Sequence, residues 1–315
     1  MVGDGGRKFQ RQIRRIQKPR NLARKQEHTV HGLKVVIYMK QNLVLQWKLL
    51  FRRKEFYLSF AIMLALAVAA FVTDCREYYG WDLSECHSAS MLFYLRTYNT
   101  GFSGIVISLY PLLAVLPFAD SYIVDRHNAV LPVLLAKGKF RDYYFSKMLV
   151  TFLASFLVLF VPQVVNMALN AVAFPWTVPG DFTNVLYGWT YAGTIESFAF
   201  PRLLNDHPGL YNLLFALTLS VTGGLMAAVS YCLSYILSKS RVLIICLMFL
   251  LLNVITLICQ ALRLSADAQI TSYLFPCAPL DYHNPWIFAG YIAAFLLIGA
   301  ACTFYNLLHH KKRVV

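Results

Sequence analysis

Residues 120–147 hold the densest set of chemically usable groups in this 315-residue chain. Asp120 is followed by the acid–base pair Asp125-Arg126, then His127, Lys137, Lys139, Arg141, Asp142 and Lys147. An apolar run containing Leu131, Leu134 and Leu135 lies among these charges. Solvated loops seldom carry such a run. On a short helix the three leucines could fill a groove of a partner protein, as helix-in-groove recognition requires. The competing reading is a plain basic connecting loop. Gly138-Lys139-Phe140 lacks the earlier glycine and the hydroxyl of a phosphate-binding loop, so nucleotide chemistry has no home here.

A second set, Asp74, Glu77, Asp82 and Glu85, could in principle give the two carboxylates of a hydrolytic site. No ordered scaffold for them is evident, and the chain has no zinc-protease helix, serine elbow or dinucleotide fingerprint. It reads as a non-enzyme without cofactor or metal. Four of the seven cysteines, Cys232, Cys246, Cys259 and Cys302, fall inside apolar runs as small packing residues. Cys75, Cys86 and Cys277 lie outside them. A Cys75–Cys86 disulfide is chemically allowed on the non-cytoplasmic side. No cysteine–histidine spacing points to zinc.

The elements that must carry these groups are six apolar stretches, at about 56–73, 103–123, 146–170, 211–237, 242–262 and 286–308. Crossing about 30 Å of hydrocarbon takes roughly 20 apolar residues. Hydrophobic residues make up 58% of the chain and charged ones 14%, where a soluble domain would have about a quarter charged. Alternate loops hold only Arg76, Arg96, Arg202 and Arg263 of the 29 basic residues. Cytoplasmic loops keep Lys and Arg, so the predicted architecture is an all-α polytopic membrane protein of six transmembrane helices with both termini cytoplasmic. This topology accounts for the net charge of +14 without nucleic acid.

Residues 1–29 form a basic segment expected to be disordered, without the apolar centre of a cleavable signal peptide. It reads either as an anchor to anionic lipid or as an unstructured leader preceding a working start at Met39. Residues 30–53 alternate Leu33, Val36, Ile37, Leu43, Val44, Trp47, Leu50 and Phe51 with polar and basic residues. That is the pattern of an amphipathic helix, lying in the membrane interface or packed on protein. Residues 54–315 are the six-helix transmembrane domain.

Within the spans, small residues recur at four-residue intervals: Ala61, Ala65 and Ala69; Gly223 with Ala227 and Gly224 with Ala228; Gly290 with Ala294. Such spacing lets helices approach closely in lipid. Pro111 and Pro117 should bend the second span. Asp120 is the one ionisable group close to a span, expected to reach water. Gln163, Asn166, Asn170, Asn253 and Gln260 either bond between helices or line a path. The near absence of intramembrane charge disfavours a secondary transporter. The long aromatic outer loops should fold into a cap of short or re-entrant helices.

The 120–147 segment resembles the loop between spans two and three of type-2 ABC transporter permeases, the membrane subunits of bacterial ABC exporters. Asp125-Arg126, Leu134-Leu135, Arg141, Tyr143 or Tyr144, and Lys147 carry the likeness. So does the opening Leu50-Phe51-Arg52-Arg53-Lys54-Glu55-Phe56-Tyr57 after an amphipathic helix. Ala129 stands where a glycine is usual, and Pro132 interrupts the helix. The resemblance covers about residues 39–309. It implies a plasma-membrane permease subunit, paired with a second permease as homo- or heterodimer and bound to two copies of an ATP-binding ABC subunit. The 121–146 loop, with Asp125, Arg126, Leu131, Leu134, Leu135, Arg141 and Lys147, would couple to those ATPases. The aromatic outer surface and apolar spans suit an amphipathic peptide, lipid or drug-like cargo better than a small ion. The alternative outside transport is an integral membrane immunity or sensory factor.

Overall fold

A computed structural model of the chain describes residues 41–82, 86–96, 101–129, 131–132, 140–176, 200–238, 240–263, 270–274 and 285–309. Among the described residues every regular element is helical and none is a strand. The helices are α1 (41–50), α2 (Lys54–Glu77), α3 (Phe102–Val115), α4 (Ser121–His127), α5 (Phe140–Ala173), α6 (Pro201–Asp206), α7 (Pro208–Ser234), α8 (Arg241–Ala261), α9 (Ile270–Leu274) and α10 (Pro285–His309).

Five helical segments are long and apolar enough to cross a membrane: Lys54–Glu77, Phe140–Ala173, Pro208–Ser234, Arg241–Cys259 and Trp286–His309. They mark a membrane-embedded protein. The expected second span differs. α3 has 14 residues and rises about 21 Å, short of the roughly 30 Å of hydrocarbon. It ends just before Pro117, which has no N–H to continue the ladder. Residues 116–120 form turns, and α4 resumes at Ser121. Pro111, by contrast, sits inside α3, which packs against α2, α5, α7 and α8.

The core is centred on α5 and α7, which share the most extensive helix contact. Gly223 and Gly224 make the close approach. A Cβ on Gly223 would run into Leu159 Cδ1, and one on Gly224 would lie 2.7 Å from the Phe152 ring. The other small-residue stripes face away. Ala61, Ala65 and Ala69 are exposed, as are Gly290 and Ala294. α2 instead buries Phe56, Ser59, Met63, Ala67, Ala70 and Asp74, a face matched in part to the polar stripe of α5. That stripe is Ser146, Lys147, Thr151, Ser155, Gln163, Asn166 and Asn170, all buried.

Residues 30–40 of the expected amphipathic helix, like residues 1–29, lie outside the described residues. In α1, Leu50 is buried and Leu43 and Trp47 pack on the core, while Val44, Leu45 and Lys48 are exposed. In the first outer loop, residues 88–96 fold inward as turns: Leu92, Phe93, Tyr94 and Leu95 are at most 1% exposed. Most of the 171–210 and 264–285 loops, with Cys277, lies outside the described residues.

Candidate functional site at the charged end of the bundle

The starts of α2, α5 and α8 and the end of α3 meet at one end of the bundle, and their charged residues pair there. Asp120 closes the turn after α3. It does not reach water, contrary to the sequence expectation: its side chain is 1% exposed. A buried carboxylate is costly unless paired and hydrogen-bonded. Arg53 donates to its Oδ1 at 2.6 Å, and Arg241 donates to its Oδ2 at 2.7 Å. Arg241 also donates to Glu55 at 2.9 Å. One acid thereby joins the starts of α2 and α8.

Lys147, at the head of the buried stripe of α5 and within the apolar run at 146–170, is a second ionisable group in a span beside Asp120, contrary to the sequence expectation, and forms the second knot. Its ammonium is fully buried and ion-pairs with Asp125 of α4. It also donates to the Ser121 carbonyl and to the Tyr143 hydroxyl, both at 3.1 Å. The Tyr143 hydroxyl in turn donates to Asp125 Oδ2 at 2.7 Å. All three ammonium protons therefore find acceptors. Phe118 lies between the two knots. Arg53 stands 4.8 Å and Lys147 5.6 Å from its ring centroid, within cation–π range.

A tyrosine cluster backs α4. Tyr122 stacks on Tyr235 with centroids 3.6 Å apart, and the Tyr231 and Tyr235 hydroxyls share a hydrogen bond of 2.7 Å. Tyr144 bonds Thr303 of α10 at 3.1 Å, and Asn306 donates to the Cys232 carbonyl at 2.9 Å. Leu131 packs in this same cluster. Arg126 is exposed and donates to Ser238 beyond α7 at 2.7 Å. Arg141 is exposed at the start of α5. Leu134 and Leu135 lie outside the described residues. Ala129 holds φ at 52°, the left-handed conformation that favours glycine.

Of the predicted coupling residues, Asp125 and Lys147 are brought together, Leu131 is turned inward, and Arg126 and Arg141 face outward. Sequence reasoning missed Arg241, Phe118, Tyr122, Tyr231 and Tyr235, and it brought in Arg53, Glu55, Tyr143 and Tyr144 only through the resemblance. A usable signal was present: Arg53 and Arg241 each precede an apolar run, and Asp120 lies near the end of one.

At the opposite end, Asp74 is buried while Glu77 and Asp82 are exposed. Glu85 lies outside the described residues. Cys75 and Cys86 lie in one small apolar cluster with Phe174, and the Cys86 thiol donates to the Asp82 carbonyl at 3.4 Å. No group of His, Cys, Asp and Glu among the described residues could hold a metal ion. Asn253 bonds its own helix, donating to the Phe249 carbonyl at 2.7 Å. Comparison of the chain with protein-family models, curated proteins and solved structures gave no match.

Proposed function

We propose that this chain is the membrane-spanning permease subunit of an ATP-driven ABC exporter of the plasma membrane. On this reading it has six spans, α3 with α4 supplying the second, and both termini in the cytoplasm. The charged end is the cytoplasmic end. Two permease subunits pair, and each takes one ATP-hydrolysing partner at the 121–146 loop. ATP-driven closure of the partners would shift the helices between inward- and outward-open states through differential contacts.

One observation carries this reading. α4 and its N-cap residue Asp120 are tied to three long helices and to the segment after a fourth by short polar links: through Asp120 to α2 and α8, through Asp125 to α5, and through Arg126 to Ser238 beyond α7. A push on the loop is delivered to the spans rather than absorbed by a flexible connector. Exposed Arg126 and Arg141 are on hand for the partner's surface.

The test is an affinity pull-down of the full chain from its native membrane. The expected result is recovery of an ATPase carrying a phosphate-binding loop. Leu134→Asp with Leu135→Asp should leave membrane insertion intact and lose that ATPase. Unchanged co-purification in the double variant would count against coupling through this loop. Recovery of no such ATPase with the native chain would favour the non-transport alternative.

A further inference from the structure

Three asparagines at the end of the bundle opposite Lys147 read peptide groups. Asn212 on α7 donates to the Ser90 carbonyl at 2.6 Å. Asn170 on α5 donates to the Leu92 carbonyl at 2.8 Å. Asn166, one turn deeper, accepts from the Tyr94 N–H at 3.3 Å and anchors itself by donating to the Ala67 carbonyl of α2 at 2.9 Å. All three side chains are at most 1% exposed.

The segment they hold is irregular backbone buried among membrane-spanning helices. Non-helical chain at such a place needs every peptide group answered by protein or by water in a cavity. A helix answers its own groups and would leave the asparagines nothing to bind. Residues 90–95, Ser-Met-Leu-Phe-Tyr-Leu, thus combine peptide groups answered by side chains of other helices with bulky apolar side chains.

The fit is incomplete. Asn170 Oδ1, Asn212 Oδ1 and the Tyr94 hydroxyl are buried without a hydrogen-bond partner among the described residues. Each carries a desolvation cost that a more closely matched ligand would relieve. The unused acceptors are free for a better ligand that brings further N–H groups.

We propose that Asn166, Asn170 and Asn212 form a binding site for the non-helical backbone of an apolar, aromatic-bearing peptide, and that residues 90–95 occupy it as an internal stand-in. This rests on the transport reading, and it narrows the cargo from amphipathic molecules in general to peptides. A phospholipid ester offers acceptors but no N–H for Asn166, so the cradle favours a peptide. Cargo arriving from the Lys147 end would displace the segment and then take over its hydrogen bonds.

The probe is the labelled, N-acetylated and C-amidated hexapeptide of sequence Ser-Met-Leu-Phe-Tyr-Leu, added to the full chain in lipid nanodiscs. Leu92→Ala with Phe93→Ala should loosen the resident segment and raise peptide affinity about tenfold. Adding Asn170→Leu and Asn212→Leu should cancel that gain, since each neutral hydrogen bond lost lowers binding about fivefold. Equal affinity for all three chains would mean simple partitioning of an apolar peptide and would overturn the proposal. A second measurement needs only the native chain: excess peptide should raise amide exchange at residues 90–95. Unchanged exchange at saturating peptide also overturns it. The outcome is separable from that of the pull-down. A chain that binds the peptide but recruits no ATPase loses the exporter reading alone. A chain that recruits the ATPase but ignores the peptide loses only the cradle.

Discussion

Lys147 on α5 and Asp125 on α4 are separated by 22 positions and joined by an ion pair, with the lysine side chain 1% exposed and the aspartate 12%. The pair closes residues 126–146 into a loop whose two stems cannot slide past each other without parting the charges. It also sets an energetic asymmetry. Removing one member strands a buried charge, whereas replacing both by apolar groups of similar shape removes the problem.

Lys147→Met should therefore lower unfolding stability by about 3–5 kcal/mol, measured by denaturant unfolding in detergent. Adding Asp125→Leu should restore much of the loss. A single variant as stable as the native chain would place the ammonium in water and remove the pair from the coupling argument.

Ala129 carries a backbone conformation that costs a residue with a Cβ about 1–2 kcal/mol. Glycine avoids that cost but loses more freedom on folding. Ala129→Gly should thus stabilise the chain by about 0.5–1 kcal/mol. The check is a small rise in thermal midpoint. A fall would mean that the left-handed cap of α4 is not the resting state of this segment.

Gly223→Val should destabilise by about 1–3 kcal/mol, because the added atoms meet Leu159 and the Tyr110 ring. Gly290→Val meets open space and should stay within about 0.5 kcal/mol. Side-by-side unfolding of the two variants distinguishes packing on α5 from a general intolerance of β-branched residues in these helices.

Alkaline pH gives a further check. Burial pushes the Tyr94 and Tyr235 hydroxyls up from their ordinary range. The unfolded chain releases these protons first, near pH 10, so the folded chain holds more protons above that point. Stability is then full below about pH 10 and falls as pH rises further. Tyr235→Phe should flatten the fall, followed by unfolding at stepped pH. An unchanged slope in that variant would show that the Tyr235 ring is solvated.

The apolar runs were legible because hydropathy is local: five of the six correspond to long helices near the expected places. The second was misjudged at its end, where Pro117 stops the helix and composition alone reads on to residue 123. The charged end was not legible for another reason. Asp120 meets Arg53 across 67 positions and Arg241 across 121, and no local pattern announces a contact made only when antiparallel helices assemble. Asn166 and Asn170 were read as bonding between helices or lining a path, Asn212 went unread, and their partners lie in a loop expected to fold into an outer cap of short or re-entrant helices. For Ala61, Ala65 and Ala69, spacing was a poor guide: the face that packs is the one offset toward Ser59, Met63 and Ala67.

The pairing of Asp120 has a bearing on biogenesis. Synthesis runs from the N-terminus, so Arg53 already exists when Asp120 leaves the ribosome, whereas Arg241 follows only after α5 and α7 have been made. The nascent Asp120 thus meets Arg53 first, one cation for its one charge, and gains its second donor only when α8 docks. Until that helix arrives Asp120 Oδ2 lacks its Arg241 donor, so this link between the starts of α2 and α8 closes only late in synthesis.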